Sequence, residues 1–294
     1  MRDYIELTKP RITWLILMST AIGYFFGLPQ AANWQAFLLQ IQIFSLLHTI
    51  IGTGLMASGT AALNQWFERD ADRHMRRTAD RPLPAGRLQS GQALVFGIAL
   101  SVAGFTELWL GVNHLAGLIG AFTLVSYLFC YTPLKQRTWW STTIGAIPGA
   151  LPPVIGFAAA AGTLTHEAWV LAAILFLWQF PHFYAIAWMY KEDYARAGIR
   201  MLPVVEPDCR STARQILVYG MALIPVSLTP ALMGMSGRIY GLGALILGLW
   251  FLYSGIRVAL DRTILRARRV LVTSVLYLPL IYGLMLLDRP GFGL

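Results

Sequence analysis

At 294 residues, with 56% of them hydrophobic and only 13% charged, the chain carries more apolar side chain than a soluble domain can bury, where charged residues alone make up about 25%. That composition excludes a soluble globular protein and a disordered one. The net charge of +9 does not argue for nucleic-acid binding, because the basic residues are spread over short connections between oily runs.

Apolar runs of roughly 17–25 residues can cross a hydrocarbon core of about 30 Å as helices. Nine are legible, at about 12–27, 36–63, 93–111, 115–131, 142–161, 168–189, 216–235, 239–256 and 270–287. They are continuous and lack the alternation of barrel strands, so the expectation is an all-α, polytopic membrane protein with nine transmembrane helices in a single bundle. The connections are too short for a second domain, leaving one domain over 1–294. All 23 Lys and Arg except Arg238 and Arg289 fall in the N-terminal tail or in alternate connections. By the positive-inside rule that side is cytoplasmic, which puts the N-terminus inside and the C-terminus outside a bacterial inner membrane. The first run reads as a retained helix and not a cleaved signal. Cys130 and Cys209 have no metal or redox spacing.

In chain order, Pro10 stands where a helix start tolerates it, and Lys9 and Arg11 anchor the cytoplasmic face or, for Lys9, reach into an anion site. Small residues from Gly52 to Ala62 allow close helix packing and set Asn64 at the end of the second span. His48 reads as a hydrogen-bonded core histidine. The stretch 64–82 is then polar where most of the chain is oily. Asn64, Glu68 and Asp72 recur every four residues and share one helical stripe, while Asp70 lies off it. Carboxylates followed by Arg73, Arg76, Arg77 and Arg81 can hold a hard cation and a phosphate together, which suggests a metal-bound diphosphate. A solvated loop with an Asp72–Arg76 pair fits the same spacing. The breakers Pro82, Pro84 and Gly86 predict a turned loop before the third span.

Pro133 ends the fourth span, and Lys135 either snorkels or points at what the acidic site holds. Gly145, Pro148, Gly149, Pro152, Pro153 and Gly156 predict a kinked or unwound fifth span, a backbone tolerated at that depth where it lines a cavity. In the sixth span His182, beside Pro181, is either a haem ligand or proton carrier or a core histidine bonded to a carbonyl. Lys191, Glu192 and Asp193 open a second polar loop, which either faces the first across the bundle and shares metal ions with it or is an ordinary solvated loop. Spans seven to nine read as walls, and the connection from Arg257 to Arg269 as an anchor on anionic headgroups.

Taken together, Asn64, Glu68, Asp70 and Asp72; Met75, Arg77, Thr78, Arg81 and Pro82; 131–135; and Asp193, Tyr194, Ala197 and Gly198 with 201–204 resemble the UbiA superfamily of intramembrane prenyltransferases. Within it the likeness is to the haem-farnesylating branch, and it extends from 7–11 through 178–182 to the last span. The resemblance implies a cytoplasm-facing active site that transfers the farnesyl group of farnesyl diphosphate to a vinyl group of haem b, giving haem O and diphosphate. It implies Mg²⁺ on Asn64, Glu68, Asp70, Asp72 and Asp193, with Asn64, Asp70, Asp72, Lys135 and Asp193 catalytic. Arg73, Arg77, Arg81, Tyr131, His182, Lys191 and Tyr194 are the expected substrate contacts. Glu68 stands where the superfamily usually has Asp, and Ala197 where its second motif often has another Asp. The expected partners are farnesyl diphosphate, haem b and membrane lipid, with haem A synthase or terminal-oxidase assembly proteins beyond them and no nucleic acid. The alternatives are a sister enzyme acting on a quinone precursor and a haem or lipid transporter without chemistry.

Overall fold

Long apolar stretches interrupted by Pro, Gly and charge fold as helices, since in a bilayer a helix satisfies every backbone polar group within its own segment. The computed structural model describes residues 1–29 and 42–290, and among these every regular element is helical. A short α1 (Arg2–Leu7) leads into α2 (Pro10–Gly27), followed by α3 (Gln42–Arg73) and α4 (Ser90–Gly111). Then α5 (His114–Val125) runs on through a π-helical turn (Ser126–Tyr131) into a last α turn (Thr132–Leu134). The fifth expected span is broken in two, α6 (Ser141–Gly149) and α7 (Pro152–Ala161). After α8 (His166–Met189) come two short helices, α9 (Lys191–Arg196) and α10 (Leu202–Val205), and then α11 (Arg210–Leu232), α12 (Arg238–Leu260) and α13 (Ile264–Leu287).

Among the described residues eight helical segments are long and apolar enough to cross a membrane, the first of them α3. The other expected span, α2, is 18 residues long and falls outside that set because Pro10, Arg11 and Trp14 dilute its apolar content. Residues 36–41 of the expected second span lie outside the described residues. That helix runs on to Arg73, so the polar stripe is built on the same rod that crosses the membrane. α11 starts at Arg210 and ends at Leu232, where Gly234 takes the left-handed conformation and the amides of Met235 and Ser236 turn back to the Pro230 carbonyl. α13 starts at Ile264 because Thr263 caps it, its hydroxyl accepting from the Arg266 amide.

The centre of the bundle is the broken fifth span and α8, 72% and 61% buried over their apolar windows, against 28–44% for the other six. Pro148 inside α6 and the Pro152–Pro153 pair at the start of α7 account for the break. The Ala146 carbonyl at that break accepts from the Ala150 amide and from Gln179 Nε2 on α8. The predicted kink is therefore present. α2 lies directly on α7: a β-carbon on Gly23 would sit 1.8 Å from the Pro153 carbonyl oxygen, and one on Gly156 1.8 Å from that of Thr20. Only glycine permits this approach. Beyond α13, the buried Arg289 donates to the carbonyls of Phe25 and Leu28 at the far end of α2, the latter at 2.8 Å.

Candidate active site

Polar residues from four segments meet at one end of the bundle, and the stripe on α3 organises them. Asn64, Glu68 and Asp72 follow one another a turn apart. Asn64 is buried, its Oδ1 accepting from Lys9 Nζ at 3.0 Å and its Nδ2 donating to Thr132 Oγ1 at 3.3 Å. Glu68 Oε1 accepts from Lys135 Nζ at 2.6 Å. Asp72 is fully buried; its Oδ2 accepts from Arg81 Nη1 at 2.7 Å, and its Oδ1 has no hydrogen-bond partner. The chain folds back after Arg73 so that Thr78 Oγ1 donates to the Asp72 carbonyl, which aims Arg81 inward.

Lys9 holds the left-handed conformation, φ 48° and ψ 60°. Burial pulls its ammonium down to about 7, and neighbouring Arg81 adds to the effect. Lys135 follows the π-helical turn, which also presents Tyr127 and Tyr131 edge to face at 5.0 Å. Its Nζ lies 4.4 Å from the centre of the Tyr131 ring. Burial works against the Lys135 charge, but Glu68, with Tyr131 and Tyr127, outweighs it and holds the group well above an ordinary lysine.

The second polar loop docks on the first. Arg77 Nη2 donates to the Tyr194 hydroxyl at 3.3 Å, and its guanidinium lies 4.9 Å over the Tyr190 ring. Asp193 is buried and accepts from Arg196, whose Nε donates to the His74 carbonyl at 3.3 Å. The Arg200 amide donates to the Lys135 carbonyl at 2.8 Å, tying in the third segment. Apolar contacts between Ala71, Met75, Ala197 and Met201 sit beneath this junction.

Several expected residues are placed elsewhere. Asp70 points to solvent, with Arg69 and Arg73 at 3.9 and 3.7 Å, because two residues past Glu68 is the opposite side of the helix. Arg73 is exposed with it. Lys191 Nζ reaches the Pro207 carbonyl at 3.4 Å. His182 stacks on Trp178 at 4.7 Å and its Nδ1 bonds Ser274 Oγ of α13 at 2.8 Å, so it serves the α8–α13 seam. The five-ligand metal set also does not gather: among the described residues no three His, Cys, Asp or Glu side chains form a group that could hold a metal. Each inward carboxylate is instead matched to one cation, Glu68 to Lys135, Asp72 to Arg81 and Asp193 to Arg196.

The oxygen donors nonetheless fit a hard divalent cation. A fully buried carboxylate oxygen without a partner is costly, and Asp72 Oδ1 lies on the same stripe as Glu68 and Asn64. Beside this polar end lies a cavity of about 150 Å³ with Lys9 and Tyr127 in its wall, lined otherwise largely by apolar groups such as Met56, Leu124 and Ile155 and by Pro152 at the kink. Sequence reasoning missed the π-helical turn, and with it Tyr127 and Thr132. Its signal is Pro133, which has no N–H to donate to residue 129 and so loosens the preceding turn.

A helical membrane bundle with an inward carboxylate, flanking cations and an adjoining apolar cavity defines an enzyme acting on an oily, anionic substrate. The chain belongs to the UbiA prenyltransferase family, whose model matches residues 16–280. It is 80% identical over 291 residues to the protoheme IX farnesyltransferase of Solibacter usitatus, covering 99% of this chain and 100% of that one. Its fold is similar to a digeranylgeranylglyceryl phosphate synthase structure, with a TM-score of 0.75 at 17% identity over 97% of this chain and 96% of that one. It is also similar to a UbiA homologue from Archaeoglobus fulgidus bound to GPP and Mg²⁺, with a TM-score of 0.64 at 16% identity over 96% and 99%.

Proposed function

We propose that this protein transfers the farnesyl group of farnesyl diphosphate to a vinyl carbon of haem b, with one water adding to the other vinyl carbon, releasing diphosphate and yielding haem O. The observation that carries the reading is the 80% identity, over essentially the full length of both chains, to a protoheme IX farnesyltransferase. The buried Asp72 carboxylate, on the same stripe as Asn64, whose partner Lys9 lines the apolar cavity, supports it independently.

Asn64, Glu68 and Asp72, with Asp193 from the facing loop, would hold Mg²⁺ once their carboxylates are released from Lys135, Arg81 and Arg196. When bound, the ion supplies Lewis-acid stabilisation of the diphosphate oxygens. Lys9, Arg77, Arg81 and Lys135 then neutralise the charge that builds on diphosphate as the allylic C–O bond breaks, each already positioned by a carboxylate, amide or aromatic partner. Tyr127, Tyr131 and the cavity wall shield the allylic cation from water until the vinyl group attacks it; water then adds to the cation left on the other vinyl carbon and loses a proton, which completes the hydroxyethylfarnesyl side chain. The π face of Tyr131 also favours a nearby cation. Asp70, Arg73, Lys191 and His182 take no part in this arrangement.

The chain forms one intramembrane domain with α2 as a ninth span. The polar end faces the cytoplasm of a bacterial inner membrane, as the distribution of Lys and Arg supports. Its product feeds terminal-oxidase assembly, with the haem-modifying proteins of that route as partners. The test is to incubate the purified protein with farnesyl diphosphate, Mg²⁺ and either haem b or an aromatic acid, following diphosphate release and the mass of the extracted acceptor. A farnesylated haem confirms the reading. A farnesylated aromatic acid with unchanged haem, or no Mg²⁺-dependent diphosphate release, overturns it.

A further inference from the structure

The polar end carries a second concentration of cations that the reaction does not use. On α12, Trp250, Tyr253, Ser254 and Arg257 are spaced i, i+3, i+4 and i+7; on α13, Leu265, Arg268, Arg269 and Val272 repeat that spacing. Each set is one helical stripe. The two stripes face each other across a groove of about 450 Å³, whose ten lining residues include four arginines and no carboxylate. Arg257 is bonded to the Tyr253 hydroxyl at 3.1 Å and Arg266 to Asp261 at 3.0 Å. Arg268 and Arg269 are exposed and make no ion pair among the described residues.

The groove is graded along the helices. Trp250 lies about 10 Å further along α12 than Arg257, and Val272 about 6 Å further along α13 than Arg268, both away from the charged end. Cations therefore crowd the water-facing end, while the rest of the groove presents exposed Trp250, Tyr253 and Val272 on the outside of the bundle, over the buried Ser254 and Thr273. None of its residues lines the active-site cavity.

We propose that this groove retains one anionic phospholipid, its phosphate on Arg268 and Arg269 and an acyl chain along Trp250 and Val272. Two unpaired guanidinium groups more than offset the single negative charge of a phosphodiester and can each donate to one of its oxygens. A groove running on into apolar surface fits a chain better than a free phosphate, and basic pockets between membrane helices hold phospholipid headgroups on this principle.

The test reconstitutes the whole protein in vesicles of equal phosphatidylglycerol and phosphatidylcholine, extracts it in mild detergent and counts bound lipid by native mass spectrometry. The wild-type protein should keep one phosphatidylglycerol. An Arg268→Gln/Arg269→Gln variant should lose it by roughly tenfold or more, from the attraction of each arginine for anionic headgroups. Arg210→Gln/Arg214→Gln, with the same loss of charge outside the groove, should keep it. Val272→Trp retains every charge but fills the apolar half; it should also lose the lipid, and it replaces the double variant if that one does not fold. Equal retention of phosphatidylcholine, equal loss in the two double variants, undiminished lipid on Val272→Trp, or displacement of the lipid by equimolar haem b or inorganic phosphate would each overturn the proposal.

Discussion

Lys9 shows how much of this site is decided by single residues. Its left-handed backbone places the β-carbon against a carbonyl oxygen, costing roughly 1–2 kcal/mol, and the proline that follows disfavours helical geometry further. The bond from its ammonium to Asn64 and the burial of its stem hold it there. Because burial lowers its value from 10.5 to about 7, the unfolded chain binds more protons than the folded one between those limits. The free protein should thus gain stability as pH rises through that window, and Lys9→Met should flatten the slope. Thermal unfolding in detergent at about pH 7 and about pH 10 measures it, and identical slopes for the two proteins would contradict the assignment. Asp72→Asn keeps the shape of the side chain but leaves Arg81 without its counter-charge. Turnover should fall roughly 100-fold or more while the protein still inserts and elutes as a single species. Diphosphate release together with size-exclusion chromatography separates these two effects.

At the scale of elements, the site depends on two places where a helix is not regular. One is the break between α6 and α7, legible in the sequence because Pro148, Pro152 and Pro153 cannot all be accommodated in one helix. The other is the π-helical turn, where a single proline was the only trace. The stripe of Asn64, Glu68 and Asp72 was equally legible, since helical spacing alone puts side chains four apart on one face. Which cation each carboxylate would face was not, because Arg81 and Lys135 reach them through a folded loop and a widened turn, neither of which has a sequence period. His182 left two readings open for a related reason: an ionisable group in a span invites a role, and whether it faces a chamber or the seam with Ser274 is a matter of tertiary packing. The α2–α7 contact gives the prediction at this scale. Gly156→Ala would drive a β-carbon into the Thr20 carbonyl, where the neighbour is backbone and cannot turn aside. A loss of roughly 3 kcal/mol is expected, read as a lower melting temperature in detergent, and an unchanged melting curve would count against so close an approach.

Across the whole molecule, the two most buried spans stand between the apolar cavity, among α2, α3, α5, α6 and α7, and the α11–α13 group that carries the arginine groove. Chemistry and lipid anchoring are thereby assigned to opposite flanks of one scaffold. The orientation of that scaffold is open to direct measurement. Single cysteines at Arg76 and Thr163, in a background with Cys130 and Cys209 replaced, should differ in labelling by a membrane-impermeant maleimide applied to intact cells. Only the Thr163 position should react, and labelling at Arg76 alone would invert the topology.

Arg289 carries a consequence for biosynthesis. It lies beyond α13, yet its partners Phe25 and Leu28 stand 264 and 261 residues earlier in the chain and are synthesised well before it. The latch joining these ends of α2 and α13 therefore cannot shut until the helices between them have been made. Until then the nascent protein must shelter its first helix by other contacts, and its final compaction is a step that comes after translocation rather than during it.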